Sequence, residues 1–281
     1  MLNSDKVTIR SLVTAADYNA CIRLQQDVWG SNFSNIVPPA LLRVTQEVGG
    51  VSVGAFNNSN GQLLGFVFGI SGVRDGQLTH WSDMLAVRQN ARNAGIGKRL
   101  KFYQRDYLMT RGIRRMFWSF DPLVAYNANF NLNALGSVPV RYVANMYSNT
   151  HSILDDGLDT DRLIVEWRLH TTAPRANLFL ATIPRDIPTV ALDQASNGDP
   201  LPNTPWVRIS IPMEMHLIKA TNPALARNWQ LLHRRAFSWY FSHGYHVVNF
   251  VKESELTASH YLLTNLPVST SSETGPQTDT Q

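Results

Sequence analysis

Residues 84–100 read MLAVRQNARNAGIGKRL, an apolar run, a polar loop with two glycines one residue apart, and the start of a helix. The segment before the loop, LTHWSDMLAV at 78–87, has strand character. After it, Ile96, Leu100, Tyr103 and Tyr107 recur at spacings of 4, 3 and 4, one stripe of a helix that ends near Arg111-Gly112. The loop therefore joins a strand to a helix N-terminus, where unpaired N–H groups and a partial positive charge favour an anion. Glycines there let a backbone approach without a Cβ in the way. Two readings stand at this point, an anion cradle and an ordinary tight turn. A P-loop is excluded because Lys98 is followed by arginine, and a dinucleotide fingerprint because position 100 is leucine.

Working outward, VTIRSLV (7–13) alternates like a strand, AADYNACIRLQQDVWG (15–30) has helical spacing, and a short helix follows Pro38-Pro39. VSVGAF (51–56) and LLGFVFGISGV (63–73) read as strands separated by the NNSNG turn (57–61), and RDG (74–76) turns the chain from the latter into 78–87. The 63–73 run is apolar on both faces and small on one, at Gly65 and Gly69, which predicts a central strand with something packed against its glycines. Beyond the glycine loop come a strand at 113–122 (IRRMFWSFDP), a short helix at 123–136 (LVAYNANFNLNALG), and strands at 138–147 and 161–169. The order β-α-α-β-β-β-α-β-α-β-β predicts one α/β (α+β) domain over residues 1–172.

A proline-rich connector at 173–205 holds one strand candidate, LFLATI at 178–183. A smaller strand-helix-strand unit is expected at 206–268, with a helix stripe of Leu225, Trp229, Leu232, Ala236 and Tyr240. Residues 269–281 read as a disordered tail.

The chain has 281 residues, 44% hydrophobic and 16% charged, enough for a sizeable core, with a net charge of +4. No basic run is interleaved with aromatics, so nucleic acid is not expected as a partner. No stretch reaches the ~18 uninterrupted apolar residues of a membrane span, and residues 1–13 lack a signal-peptide pattern. The single cysteine, Cys21, rules out an internal disulfide, and a cytoplasmic setting is expected. His243 and His246 straddle a helix end with no third ligand nearby, so no metal is expected.

With these pieces in hand, residues 84–100 resemble the acyl-CoA pyrophosphate loop of the GCN5-related N-acetyltransferase (GNAT) superfamily, whose motif is [QR]xxGx[GA] after a strand ending in an L-x-V-like run. The element order is similar as well, and Asn127, early in the helix after the fifth strand, matches a further feature of the family. More narrowly, MLAV, WSFDPLVAYNANFNLNALG and DTDRLIVEW resemble a group of bacterial acyltransferases with an added C-terminal domain. The resemblance implies a mostly antiparallel central sheet flanked by helices, with a smaller C-terminal α/β unit beside it.

The same resemblance implies that the backbone of Arg92, Asn93, Ala94, Gly95, Ile96, Gly97 and Lys98 holds the pyrophosphate of acetyl-CoA or another acyl-CoA. Leu85 and Val87 would pair with the pantetheine arm, the Leu85 N–H polarising the thioester carbonyl, and Asn127 would reach the pantetheine. Arg88, Arg92 and Lys98 are candidates to add charge for the phosphates. Asp83 stands where many relatives carry a glutamate base, with His80 ranked behind it; the plain alternative for Asp83 is a solvated strand end. The tyrosine that many relatives use to protonate the leaving thiolate is replaced by Leu132, which leaves the general acid unassigned. The expected function is acyl-CoA-dependent N-acyl transfer, acetyl or another short acyl such as succinyl, to a small-molecule amine, an amino acid among the candidates. The alternative is a catalytically silent acyl-CoA sensor or scaffold. A homodimer is compatible with the sequence, which does not determine the oligomer.

Overall fold

The structure, a computed structural model, describes residues 6–155, 157–170, 183–192, 200–252 and 258–267. The expected strand at 178–183, except Ile183, and the tail at 269–281 lie outside the described residues.

The first unit is a seven-stranded sheet in the order β1-β2-β3-β4-β5-β7-β6. Its strands are β1 (Val7–Ser11), β2 (Val51–Asn57), β3 (Leu63–Arg74), β4 (Gln77–Val87), β5 (Arg115–Phe120), β6 (Val138–Val143) and β7 (Arg162–Arg168). Every neighbouring pair is antiparallel except β4 and β5, which are parallel and joined through α3 (Ile96–Thr110). Local chemistry explains the boundaries. Thr14 and Asp17 form a capping box that starts α1 (Ala15–Trp29), and α2 (Pro39–Glu47) begins on a proline whose missing N–H costs nothing there. The β3–β4 hairpin turns on Asp75 and Gly76, both left-handed at φ 53° and 73°, the pairing that matches strand twist. Pro139 sits in β6, at the end of the sheet, where a missing donor breaks no ladder between two flanking strands.

Helices α1 and α2 pack on one face of this sheet, around Cys21, Leu24, Leu42, Phe66, Phe68 and Met84. On the other face α3 packs through Ile96, Leu100 and Leu108. Strand β3 is central and buried on both faces through Gly69, as its composition predicts.

The second unit is a four-stranded sheet in the order β10-β11-β9-β8, made from β8 (Thr189–Val190), β9 (Trp206–Pro212), β10 (His246–Val251) and β11 (Ala258–Thr264). It carries α5 (Met215–Thr221) and α6 (Pro223–Ser242). Strand β8 and α5 are not legible in the sequence: the strand is two residues long, and the helix has no apolar stripe of full width. The buried residues of α6 are Ala226, Gln230, Leu232, His233, Ala236, Phe237 and Tyr240, so the expected stripe is right at three positions, while Leu225 and Trp229 are only half-buried.

The two sheets share one contiguous apolar cluster, which runs from Leu163 and Val165 to Val207, Phe237 and Tyr261. Polar contacts anchor the junction. Asp161, buried, accepts from Tyr142 Oη at 2.5 Å, the Asn145 N–H at 2.9 Å and Arg234 Nε at 2.9 Å. Arg234 also reaches Asp159 at 2.7 Å, so it is a docking residue and not a solvated face. The Tyr261 hydroxyl donates to Pro122 O at 2.8 Å, and Asn133 Nδ2 to Phe250 O at 2.8 Å. Among the described residues, no helix is long and apolar enough to cross a membrane.

Candidate functional site

Strands β4 and β5 are in register only from Thr79 to Trp81 against Arg115 to Phe117. Beyond that point β4 runs on to Val87 and β5 to Phe120 without pairing, and the two open into a V. The Arg88 N–H donates to Leu64 O at 2.8 Å, directly across the β3–β4 ladder, where Gly65 faces Val87. Antiparallel alternation then turns the Ala86 and Met84 backbone groups toward β3, and those of Leu85 and Val87 toward the opening. Leu85 and Val87 are half-buried against the α3-side core.

The glycine loop closes the wide end of the V. Asn93 and Gly95 are left-handed at φ 63° and 73°, and α3 starts at Ile96 with no side-chain cap, so its first N–H groups are left to solvent or to a ligand. A Cβ on Gly97 would meet Val87 Cγ2 at 3.8 Å, Leu85 Cδ2 at 3.9 Å and Phe130 Cζ at 3.9 Å. Phe130 belongs to α4, an α-helical turn at Ala125–Ala128 that continues as a π-helical turn over Asn129–Ala134. Gly97 thus faces an apolar slot walled by β4 on one side and α4 on the other. Asn127, on the first turn of α4, is half-buried, and its side chain makes no hydrogen bond to protein among the described residues.

The basic side chains divide. Arg88 donates to Leu63 O at 2.7 Å and pairs with Asp27 at 2.6 Å, so it is committed to the fold and not to a ligand. Arg92 Nε lies 3.4 Å from Val87 O, at the edge of hydrogen bonding, and Lys98 stands 5.7 Å over the Phe102 ring. Both remain at the loop.

Asp83 and His80 separate. Phe68 faces Met84 and Gly69 faces Ser82, so Asp83 is the extra residue of a β-bulge. The bulge turns its side chain to the Trp81 side, where Trp81 Nε1 lies 3.3 Å from Oδ1. Solvent reaches the carboxylate, but protein surrounds it, and that desolvation raises its pKa above the ordinary value of 3.8. Across the opening, Tyr147 bonds Ser119 Oγ at 2.8 Å and feels the Asp83 charge. Tyr147 lies in the β6–β7 loop rather than on the strand expected at 138–147, because Asn145 turns the chain at φ 45°.

His80 lies on the other face, buried, with Nδ1 2.9 Å from Ser71 Oγ and Nε2 2.9 Å from Gln104 Nε2. Burial pushes its pKa down to about 3, with the Lys101 charge adding to the effect. It does not share the opening with Asp83, and its place as a second base is withdrawn. The small face of β3 finds its purpose here, since a Cβ at Gly69 would collide with His80 Nε2.

Sequence reasoning missed the continuation of this network. Ser82 Oγ lies 2.9 Å from Gln104 Oε1 and accepts from Lys101 Nζ at 2.7 Å, and Lys101 Nζ stands 3.9 Å over the Trp118 ring. Trp118 Nε1 in turn donates to Asn131 Oδ1 at 2.9 Å. Lys101 and Gln104 follow Gly97 at four and seven residues, a second α3 stripe beside the one read from Ile96 and Leu100. Their polarity hid it.

Asp121 accepts from the Leu123 N–H at 2.8 Å as a turn residue, and Tyr142 is committed to Asp161. Leu132, where many relatives carry tyrosine, is buried. Among the described residues no group of three or more metal-ligating side chains converges.

No family model and no curated protein matches the sequence. Solved structures do match. The Naa50 protein of Arabidopsis thaliana, in complex with a bisubstrate analogue CoA-Ac-MVNAL, is 15% identical over 58% of this chain and 98% of its own, with a TM-score of 0.46. The ribosomal-protein-S18-alanine N-acetyltransferase of Escherichia coli is 19% identical over 59% of this chain and 96% of its own, with a TM-score of 0.42. An acetyltransferase of the GNAT family from Streptococcus pneumoniae is 15% identical over 58% of this chain and 99% of its own, with a TM-score of 0.46. The chain is similar to GNAT acetyltransferases of known structure. Its mostly antiparallel sheet and flanking helices are the arrangement that the resemblance at residues 84–100 implies.

Proposed function

We propose that this chain is an acyl-CoA-dependent N-acyltransferase that acts on the primary amine of a small molecule. The observation that carries the reading is the V between β4 and β5, which meets an uncapped, glycine-lined helix N-terminus at its wide end. A slot of this kind suits a thin, extended, hydrogen-bonding chain that ends in phosphates. Pantetheine pyrophosphate is such a chain. The backbone from Arg92 to Lys98 would hold the pyrophosphate, Leu85 and Val87 would pair with the amide arm, and Asn127 has a side chain free to reach it.

In the reaction a neutral amine attacks the thioester carbonyl, the C–N bond forms, and the C–S bond breaks to release a thiolate. An alkyl ammonium has a pKa of about 10 and must first lose a proton. Asp83 would take it, through water, and partial desolvation by the surrounding protein makes this carboxylate a better base than a fully hydrated one. The Leu85 N–H, turned into the opening, would stabilise the oxyanion. With Leu132 in the usual acid position, Tyr147 is a candidate acid, because its pKa responds to the Asp83 charge.

The test is thiol release from acetyl-, propionyl- and succinyl-CoA with a panel of amino acids, polyamines and small amines, beside Gly95→Trp and Gly97→Trp controls. Amine-dependent release that vanishes in the controls supports the enzyme. If CoA binds and no amine elicits thiol, the chain is an acyl-CoA sensor instead. If CoA does not bind, the loop is only a turn.

A further inference from the structure

The α3 face beneath the V carries Gly97, Lys101 and Gln104, and it runs along β4 in the opposite direction. Gly97 meets Leu85 and Val87, Lys101 meets Ser82, and Gln104 meets Ser82 and His80. Lys101 also lies over Trp118. Ser82 and Trp118 are the first residues past the last β4–β5 pair, Trp81 and Phe117. The ammonium therefore sits at the vertex of the V, the closed end of the slot whose open end is the glycine loop.

This position is costly. Lys101 is 2% exposed, and among the described residues no carboxylate lies within ion-pair distance of it. A buried charge without a counter-ion is strongly disfavoured, and because a hydroxyl and one indole face replace only part of its hydration, burial pushes the Lys101 pKa well below its ordinary value. Its three donors include one to Ser82 and one toward the ring, which leaves a third without an acceptor among the described residues. An aliphatic residue of the same length would pack there without this cost.

We propose that Lys101 selects the acyl group, and that the preferred donor is a short dicarboxylic acyl-CoA whose free carboxylate supplies the missing counter-charge. The assignment rests on the acyltransferase reading above. With the thioester carbonyl at Leu85, the acyl chain points along β4 toward Ser82, which the Asp83 bulge brings to two ladder steps, or about 7 Å at roughly 3.3 Å per step. A terminal carboxylate on a short chain, met by the extended lysine side chain, spans that gap. An acetyl group offers the Lys101 amine no counter-charge, whereas a carboxylate restores its charged form.

The experiment compares acetyl-, malonyl-, succinyl- and glutaryl-CoA with wild type and with Lys101→Met, by calorimetric binding and by thiol release. Wild type is expected to bind at least one dicarboxylic thioester tenfold or more tightly than acetyl-CoA. Lys101→Met, matched in length and apolar, is expected to fold with an equal or higher Tm and to erase that preference. Equal binding of acetyl and dicarboxylic donors by wild type, or a preference unchanged in Lys101→Met, overturns the assignment of Lys101 and leaves the acyltransferase reading standing. Failure of wild type to bind any acyl-CoA overturns both. A second variant, Ser82→Ala, removes the hydroxyl partner without the charge and is expected to keep the dicarboxylic preference; its loss there, with Lys101→Met unaffected, would move selection to the strand.

Discussion

Replacing Gly97 by alanine should move stability and coenzyme binding in opposite directions. The added Cβ would lie 3.8–3.9 Å from Val87, Leu85 and Phe130, ordinary van der Waals contact with no collision, and Gly97 is not left-handed. Exchanging glycine for alanine in a helix stabilises it by about 0.5–1 kcal/mol, less in the first turn. The methyl also gains apolar contact, worth up to ~0.8 kcal/mol if fully buried. The variant should therefore unfold at higher urea, with a gain of about 1 kcal/mol. The same methyl, however, occupies the narrowest part of the slot that the pantetheine arm must enter. Affinity for CoA, measured by calorimetry, should fall at least tenfold, about 1.4 kcal/mol. If Gly97→Ala binds CoA as tightly as wild type, the slot between Leu85, Val87 and Phe130 is not the coenzyme site. Gly95→Ala is the useful contrast: no atom lies within 4 Å of its Cβ, but at φ +73° the side chain costs roughly 1–2 kcal/mol of backbone strain, so stability should fall.

Asp83→Asn should lower the amine-transfer rate roughly 100-fold or more and abolish the lower acid limb of kcat/KM against pH; that limb should lie above the ordinary aspartate value, because desolvation by the surrounding protein raises the Asp83 pKa. A variant that keeps the limb would clear Asp83 of the role of base. Folding holds His80 neutral down to about pH 3 while the unfolded chain protonates near 6.5, so the unfolded state binds the extra proton between these values. Stability is full above pH 6.5 and declines as the pH falls toward 3, at up to ~1.4 kcal/mol per unit from this residue, and urea titrations of His80→Gln should have a shallower slope. Arg234→Ala strips buried Asp161 of two contacts; with a third of the arginine side chain exposed, the cost should be about 2 kcal/mol in urea unfolding, and a neutral result would remove Arg234 from the junction. Cys21, fully buried with its thiol pushed up to about 12, should react with a thiol reagent only on unfolding, which also leaves a low background for the thiol-release assay.

Much of the first unit is written in local sequence. Alternating and helical periodicities, the Asp75-Gly76 turn, the Thr14–Asp17 box and Pro39 each specify a boundary within a few residues of the chain, so the order of the first eleven elements could be read before any contact was known. The left-handed turn of the glycine loop is local in the same sense, because Gly95 at φ 73° is set by a few consecutive residues, whereas the space at Gly97 is bounded by Leu85, Val87 and Phe130 from two other elements. Asp83 as a candidate base came from the resemblance of residues 84–100 and their flank to the GNAT superfamily; its place near a strand end alone reads as a solvated carboxylate.

What the sequence could not express is anything that depends on two distant segments meeting. A one-residue bulge opposite Phe68 and Gly69 decides which face Asp83 takes, and an extra residue in one strand has meaning only against its partner. His80 moves out of the opening because Gly69, Gln104 and Ser71, from two other elements, build a buried polar pocket around it. The burial of Lys101 and Gln104 follows from how α3 lies under the V, and polar residues in a core-facing stripe look like surface until a tertiary partner is in place. Arg234 reads as one of two adjacent surface cations until Asp159 and Asp161, more than seventy residues earlier, are brought against it. Periodicity and capping are short-range physics and survive in a string of letters; bulges, buried charges and docking contacts are set by the geometry of packed elements, and only the folded chain decides them.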